Sequence, residues 1–142
     1  MTNDPTLKPV IWVGTSLDDL REFPAPVQDH MGYALYLAQR GAKHRDAKVL
    51  SGFGGAGVLE AIKDHRGDTF RAVYTLKHAG KVFVLHAFQK KSKSGRQTPR
   101  RDIDLIRQRV REAFLRHGHW IDRALGMVFI AFAVSLAFAS LH

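Results

Sequence analysis

Thr69-Phe70-Arg71-Ala72-Val73-Tyr74-Thr75-Leu76 and Lys81-Val82-Phe83-Val84-Leu85-His86-Ala87-Phe88, joined through His78-Ala79-Gly80, decide the fold. Both runs are rich in Val, Phe and Tyr, the residues that fit a pleated and half-buried surface. The glycine closing the short link suits a hairpin turn. Alternation breaks down in Val82-Phe83-Val84-Leu85, which is apolar on both faces and therefore predicts a strand covered on both sides, central in its sheet. Just upstream, Val58-Leu59-Glu60-Ala61-Ile62 predicts a third strand, so three antiparallel strands are expected in series.

The strand core is flanked by helices. Upstream, Val10-Ile11-Trp12-Val13 reads as a first strand ending at Gly14. Ser16 follows as an expected N-cap, with Asp18 and Asp19 in the first turn, where the helix dipole favours carboxylates. Pro24 and Pro26 interrupt this short helix. From Val27 the apolar positions Met31, Leu35 and Ala38 recur at helical spacing until Gly41, which predicts a helical hairpin. Ser51-Gly52-Phe53-Gly54-Gly55-Ala56-Gly57 resembles a phosphate-cradling loop only superficially. No Gly-Lys-Ser/Thr ending follows, and a flexible connection into the next strand is expected. Downstream, Thr98-Pro99 predicts an N-cap and an N1 proline, and Ile103, Ile106, Val110 and Phe114 form one helical stripe. This helix is expected to pack its stripe on the sheet and to expose Arg107, Arg109 and Arg111. The fold class is α+β: an antiparallel-biased sheet with a helical hairpin and a C-terminal helix packed on it, followed by an apolar C-terminal helix.

A chain of 142 residues has room for one core. Its charge is unevenly placed. Residues 1–70 carry eight Lys/Arg against nine Asp/Glu, whereas residues 71–123 carry fourteen against four. A field of that sign gathers polyanions, so nucleic acid or an acidic protein is the expected partner. There is no cysteine, which excludes disulfides, thiolate nucleophiles and Cys-bound zinc. Met1-Thr2-Asn3-Asp4-Pro5 lacks a basic flank before an apolar stretch, so no secretory signal is expected and the address is cytoplasmic.

Three blocks are more specific. Gly67-Asp68-Thr69-Phe70-Arg71-Ala72-Val73-Tyr74, then Val84-Leu85-His86-Ala87-Phe88-Gln89-Lys90-Lys91-Ser92, then Thr98-Pro99 with Asp102-Ile103-Asp104 and Arg109, stand in order at consistent spacing. Together they resemble the phage-derived HigB-like branch of the RelE/ParE toxin superfamily, over about residues 8–115. The resemblance implies a RelE-like fold over a domain of residues 1–118 and a toxin that cleaves messenger RNA in the ribosomal A site. It also implies a neighbouring helix-turn-helix antitoxin. Within the same superfamily, ParE-like gyrase poisoning is the alternative activity, and a decayed, membrane-tethered binding module is a third.

Metal-independent RNA cleavage uses the 2′-hydroxyl as nucleophile on the adjacent phosphate. The protein must stabilise a more negative phosphorane-like transition state and move protons. Arginine offers a planar fork to phosphate oxygens. The resemblance therefore assigns Arg71 to transition-state stabilisation; its alternative is a structural pair with Asp68 or Glu60. Lys90, Lys91 and Lys93 cluster after the strand and are expected to bind RNA or exchange protons, or else to form a solvated basic loop. His86 is a candidate acid/base or a buried, backbone-bonded histidine. Tyr74, on the opposite face from Arg71, is a candidate base-stacking ring or core. Lys81, Arg100 and Arg101 are expected to contact RNA backbone. His117-Gly118-His119 has no third ligand suggested nearby, so no metal and no cofactor are expected.

Residues 119–142 fall outside the resemblance. From Ala124 to Leu141 eighteen residues carry no charge, a length that just reaches a bilayer's apolar core. Trp120 at its entrance, with Arg111, Arg116 and Arg123 before it, would suit an inner-membrane anchor with the domain in the cytoplasm. A helix packed on the domain or on a second copy, and an unselected gene end, are the competing readings.

Overall fold

The computed structural model describes residues 7–53, 57–76, 80–90 and 98–117. Five strands form one sheet in the order β1-β5-β4-β3-β2, with β1 (Val10–Trp12), β2 (Ala47–Val49), β3 (Val58–His65), β4 (Asp68–Thr75) and β5 (Val82–Lys90). β1 runs parallel to β5 and every other pair is antiparallel. The helices are α1 (Ser16–Arg21), α2 (Ala25–Gln39) and α3 (Arg100–His117). The α+β class and the antiparallel bias of the sheet are as expected; two helices do follow β1, and they pack on the sheet, α1 against β5 and α2 mainly against β3.

β5 is interior, as its two apolar faces require, but β4 rather than β5 occupies the middle. The reason is β2, which the sequence did not reveal. Ala47-Lys48-Val49 is too short and too polar to read as a strand, yet it pairs with Ala61, Glu60 and Leu59 at the far edge. Leu50 donates its N–H to Val58 O, extending the antiparallel β2–β3 pairing to the edge of the connection between the two strands.

The sheet divides the core in two. On one face Leu59, Ala61, Phe70, Ala72, Tyr74, Val82, Val84 and Ala87 meet Leu20 of α1 and Val27, Met31, Ala34, Leu35 and Ala38 of α2. On the other, Val58, Val73, Phe83 and Leu85 meet Ile106 and Ala113 of α3. Helices thus lie on both faces, which explains why β5 has no polar side.

A bulge re-aims the second half of β5. Val73 pairs with His86 and Tyr74 with Val84, which leaves Leu85 as an extra residue. Leu85 and His86 consequently both face α3, and beyond the bulge Phe88 and Lys90 share that face with Arg71 of β4. Bulges commonly redirect side chains in this way.

Three local expectations are corrected. Ser16 is the first residue of α1, not its cap; its buried hydroxyl donates to Val84 O at 3.0 Å, and the N-cap position is Thr15. Thr98 turns its hydroxyl toward Glu60 and Arg71. Arg109 is buried rather than exposed, because it lies one turn after Ile106 on the inner face of α3 and finds acceptors at the β5 bulge. The segment from Ala124 to Leu141 lies outside the described residues; among those described, no helix is long and apolar enough to cross a membrane.

Candidate functional site

The polar residues under α3 form two adjoining clusters on one sheet face. In the first, Arg71 Nη1 donates to Glu60 Oε1 at 2.7 Å and to Thr98 Oγ1 at 3.1 Å, and Thr98 Oγ1 donates to Glu60 Oε2 at 2.5 Å. The ion pair is almost completely enclosed, with side-chain exposures of 2% for Arg71 and 6% for Glu60. β3 and β4 bring the pair together: Ile62 lies opposite Arg71, and Glu60 lies opposite Val73 on the same face. Two oppositely charged groups in so dry a site hold each other far more strongly than exposed ones would.

The second cluster is built on the bulge. Arg109 Nη1 donates to Leu85 O at 2.9 Å and reaches His86 Nδ1 at 3.3 Å, while Nη2 donates to Thr15 Oγ1 at 3.1 Å. A guanidinium can only donate, so His86 Nδ1 accepts, and the ring proton stands on Nε2, which donates to Asp102 Oδ1 at 2.9 Å. Burial lowers the His86 pKa; the Asp102 carboxylate opposes this and the Arg109 charge reinforces it. Histidine 86 is therefore the neutral form at pH 7, with both nitrogens engaged. Phe88 stacks on its ring, 4.6 Å between centroids. Gly14 makes room for Arg109: a Cβ there would lie 2.9 Å from Arg109 Nε, and φ at Gly14 is +59°.

Arg71, His86 and Lys90 share the α3 face of β4 and β5, and the register sets Lys90 opposite Thr69, one step along from Arg71 opposite Phe88. All three are buried. Tyr74 lies on the other face at 0% exposure, so its ring offers no surface for a base and belongs to the core. Arg100 and Arg101 are exposed in the first turn of α3, and Lys81 is half-buried at the start of β5. Lys91 and Lys93 lie outside the described residues. Sequence reasoning gave Glu60 only a structural role, counted Asp102 in the third motif block without assigning it a role, and did not single out Thr15. Glu60 sits in an apolar strand run, and that misplaced charge was its one legible signal.

The outer surface of α3 is basic, with Arg100, Arg101, Arg107 and Arg111 all exposed. A helix that locks a buried polar network on one side and presents arginines on the other can join a polyanion to the groups beneath it. Residues 18–111, from within α1 into α3, match the pattern of the phage-derived Gp49-like proteins (DUF891). The chain belongs to the Gp49-like family. That family is associated with RelE-like toxins, and membership is consistent with a role as the toxin of a toxin–antitoxin pair. No curated protein and no solved structure matches this Gp49-like chain.

Proposed function

We propose that this Gp49-like chain is the toxin of a toxin–antitoxin pair, that it cleaves messenger RNA on the ribosome in the HigB manner, and that Glu60 and Arg71 are the reacting pair. The single observation behind this is the Thr98 hydroxyl, which accepts a hydrogen bond from Arg71 while donating one to Glu60. A ribose 2′-hydroxyl poised for attack needs the same two neighbours: a carboxylate to take its proton and a cation beside the phosphorus it approaches. On substrate binding the nucleotide displaces Thr98 from the pair. Glu60 accepts the 2′-hydroxyl proton as that oxygen bonds to phosphorus, and Arg71 stabilises the added negative charge. The 5′-oxygen departs with a proton, for which Lys90 is the donor on that face. His86, with both nitrogens occupied, positions the face and does not exchange protons. The outward arginines of α3 grip ribosomal or messenger phosphates, and a helix-turn-helix antitoxin is the expected neutralising partner.

The test is an in vitro translation reaction with the purified full chain. Arrest with A-site cuts is expected, and the cuts should vanish in a Glu60→Gln/Arg71→Gln double variant that still melts cooperatively. Intact transcripts on arrested ribosomes would overturn the assignment. The burial of Arg71 and Lys90 favours one second reading, in which the domain acts by binding, as a ParE-like gyrase poison. Loss of supercoiling activity by gyrase, with uncut RNA, would identify it.

A further inference from the structure

On the opposite, α2 side of the sheet, His30, His44 and Asp46 bring three potential ligand atoms within 4.8 Å of one another. His30 projects from the middle of α2, and the other two lie in the connection that leads into β2. His30 Nε2 is buried without a hydrogen-bond partner among the described residues, which is rare for an imidazole nitrogen inside a folded protein. His44 is 7% exposed, its ring packed edge-on against His30 at 4.8 Å and against Tyr33 at 5.6 Å. Asp46 is exposed and makes a loose ion pair with Arg45, 4.0 Å apart at the surface. Nothing in the proposed RNA chemistry uses these residues.

We propose that His30, His44 and Asp46 bind one divalent first-row transition-metal ion, of the zinc, cobalt or nickel type, which clasps α2 to the segment entering β2. Two imidazoles and a carboxylate are a donor set suited to these ions and not to calcium or magnesium, which prefer all-oxygen shells. Zinc bonds near 2.1 Å set tetrahedral ligand atoms about 3.4 Å apart, so the cluster must close by roughly 1 Å. The exposed Asp46 side chain and its loop can supply that movement. Burial, and next the neighbouring His44, lower the His30 pKa, which keeps that ring in its ligating, neutral form at pH 7.

Two features set limits on affinity. His44 Nδ1 accepts the Asp46 N–H at 3.0 Å, so the ring proton stands on Nε2. An ion entering at Nε2 moves that proton to Nδ1 and breaks the backbone bond, which couples binding to a rearrangement of residues 44–46. Lys63 also adds positive charge near His30, which the Asp46 carboxylate opposes. Reversible binding, not a permanently sealed structural ion, follows from both.

The experiment uses the full chain, free of any histidine tag and pretreated with chelator. Titration with Co²⁺ should produce a saturable visible d–d absorption at one equivalent, and Zn²⁺ should displace it while raising the melting temperature. Asp46→Asn, at an exposed position that folding does not depend on, should lose the Co²⁺ spectrum, as should His30→Gln. A His117→Gln/His119→Gln variant should keep it. Absence of a one-equivalent spectrum, or a spectrum untouched by Asp46→Asn and His30→Gln, would overturn the site. Translation arrest by the chain is read separately, so failure here leaves the RNA chemistry standing and the reverse also holds.

Discussion

Removing the Arg71 side chain would strand the Glu60 carboxylate where it is 6% exposed, and breaking a buried pair in this way costs about 3–5 kcal/mol. Arg71→Ala is thus expected to lower the urea midpoint sharply, whereas a paired replacement such as Arg71→Met with Glu60→Leu should recover most of the loss. Urea denaturation of the three chains checks this. Tyr74 presents the contrary case. Its hydroxyl is buried with no partner among the described residues, and burial pushes its pKa up to about 12. Tyr74→Phe should leave stability unchanged or slightly raised, and should remove the latest step of the phenolate absorbance titration. Gly14→Ala forces a side chain into left-handed backbone, which costs about 1–2 kcal/mol, and drives a methyl against the Arg109 guanidinium.

At the scale of elements, α3 is held to the sheet by Ile106 and Ala113 and by the Arg109–His86–Asp102 network. That network carries a pH signature. An unfolded histidine takes up its proton near 6.5, whereas His86 in the folded chain, desolvated and beside Arg109, takes it up only at lower pH. Between those values the unfolded state binds more protons, so stability is full above 6.5 and falls as pH drops below it. Melting curves from pH 8 to pH 5 should show this decline, and His86→Asn should flatten it in part. His30, lowered in the same direction, contributes the remainder. The elements were unevenly legible. β4 and β5 announced themselves through long apolar runs, and α2 through its spacing. β2 did not, since three residues with a lysine between Ala47 and Val49 carry no pattern, and only pairing with β3 makes them a strand. Arg109 was misread for a related reason: helical spacing puts it beside the apolar stripe, but a charge there is legible as buried only once its acceptors on β5 are known. The Glu60–Arg71 pair was legible as an option, because both charges stand inside strands. Thr98 as its third member was not, since a hydroxyl before a proline reads first as a helix cap.

For the molecule as a whole, charge and chemistry are separated by one helix. Under the proposed function, the exposed arginines of α3 would supply a salt-dependent attraction to RNA that needs no precise geometry, while the enclosed Glu60–Arg71 pair beneath would demand exact placement. Arg100→Glu with Arg101→Glu should therefore weaken ribosome co-sedimentation and flatten its salt dependence, with little change in melting temperature. Charge counts along the sequence placed the basic excess in residues 71–123, but could not tell that Arg71, Lys90 and Arg109 lie inside while Arg100, Arg101, Arg107 and Arg111 lie on the surface. Strand order has a further consequence for how the chain is born. β1 bonds to β5, so the first strand to leave a translating ribosome waits for the last one, and Glu60 and Arg71 meet Thr98 only when nearly the whole domain has emerged. The enclosed network is therefore put together only when synthesis of the domain is nearly finished, and under the proposed function that delay is the interval in which an antitoxin can arrive.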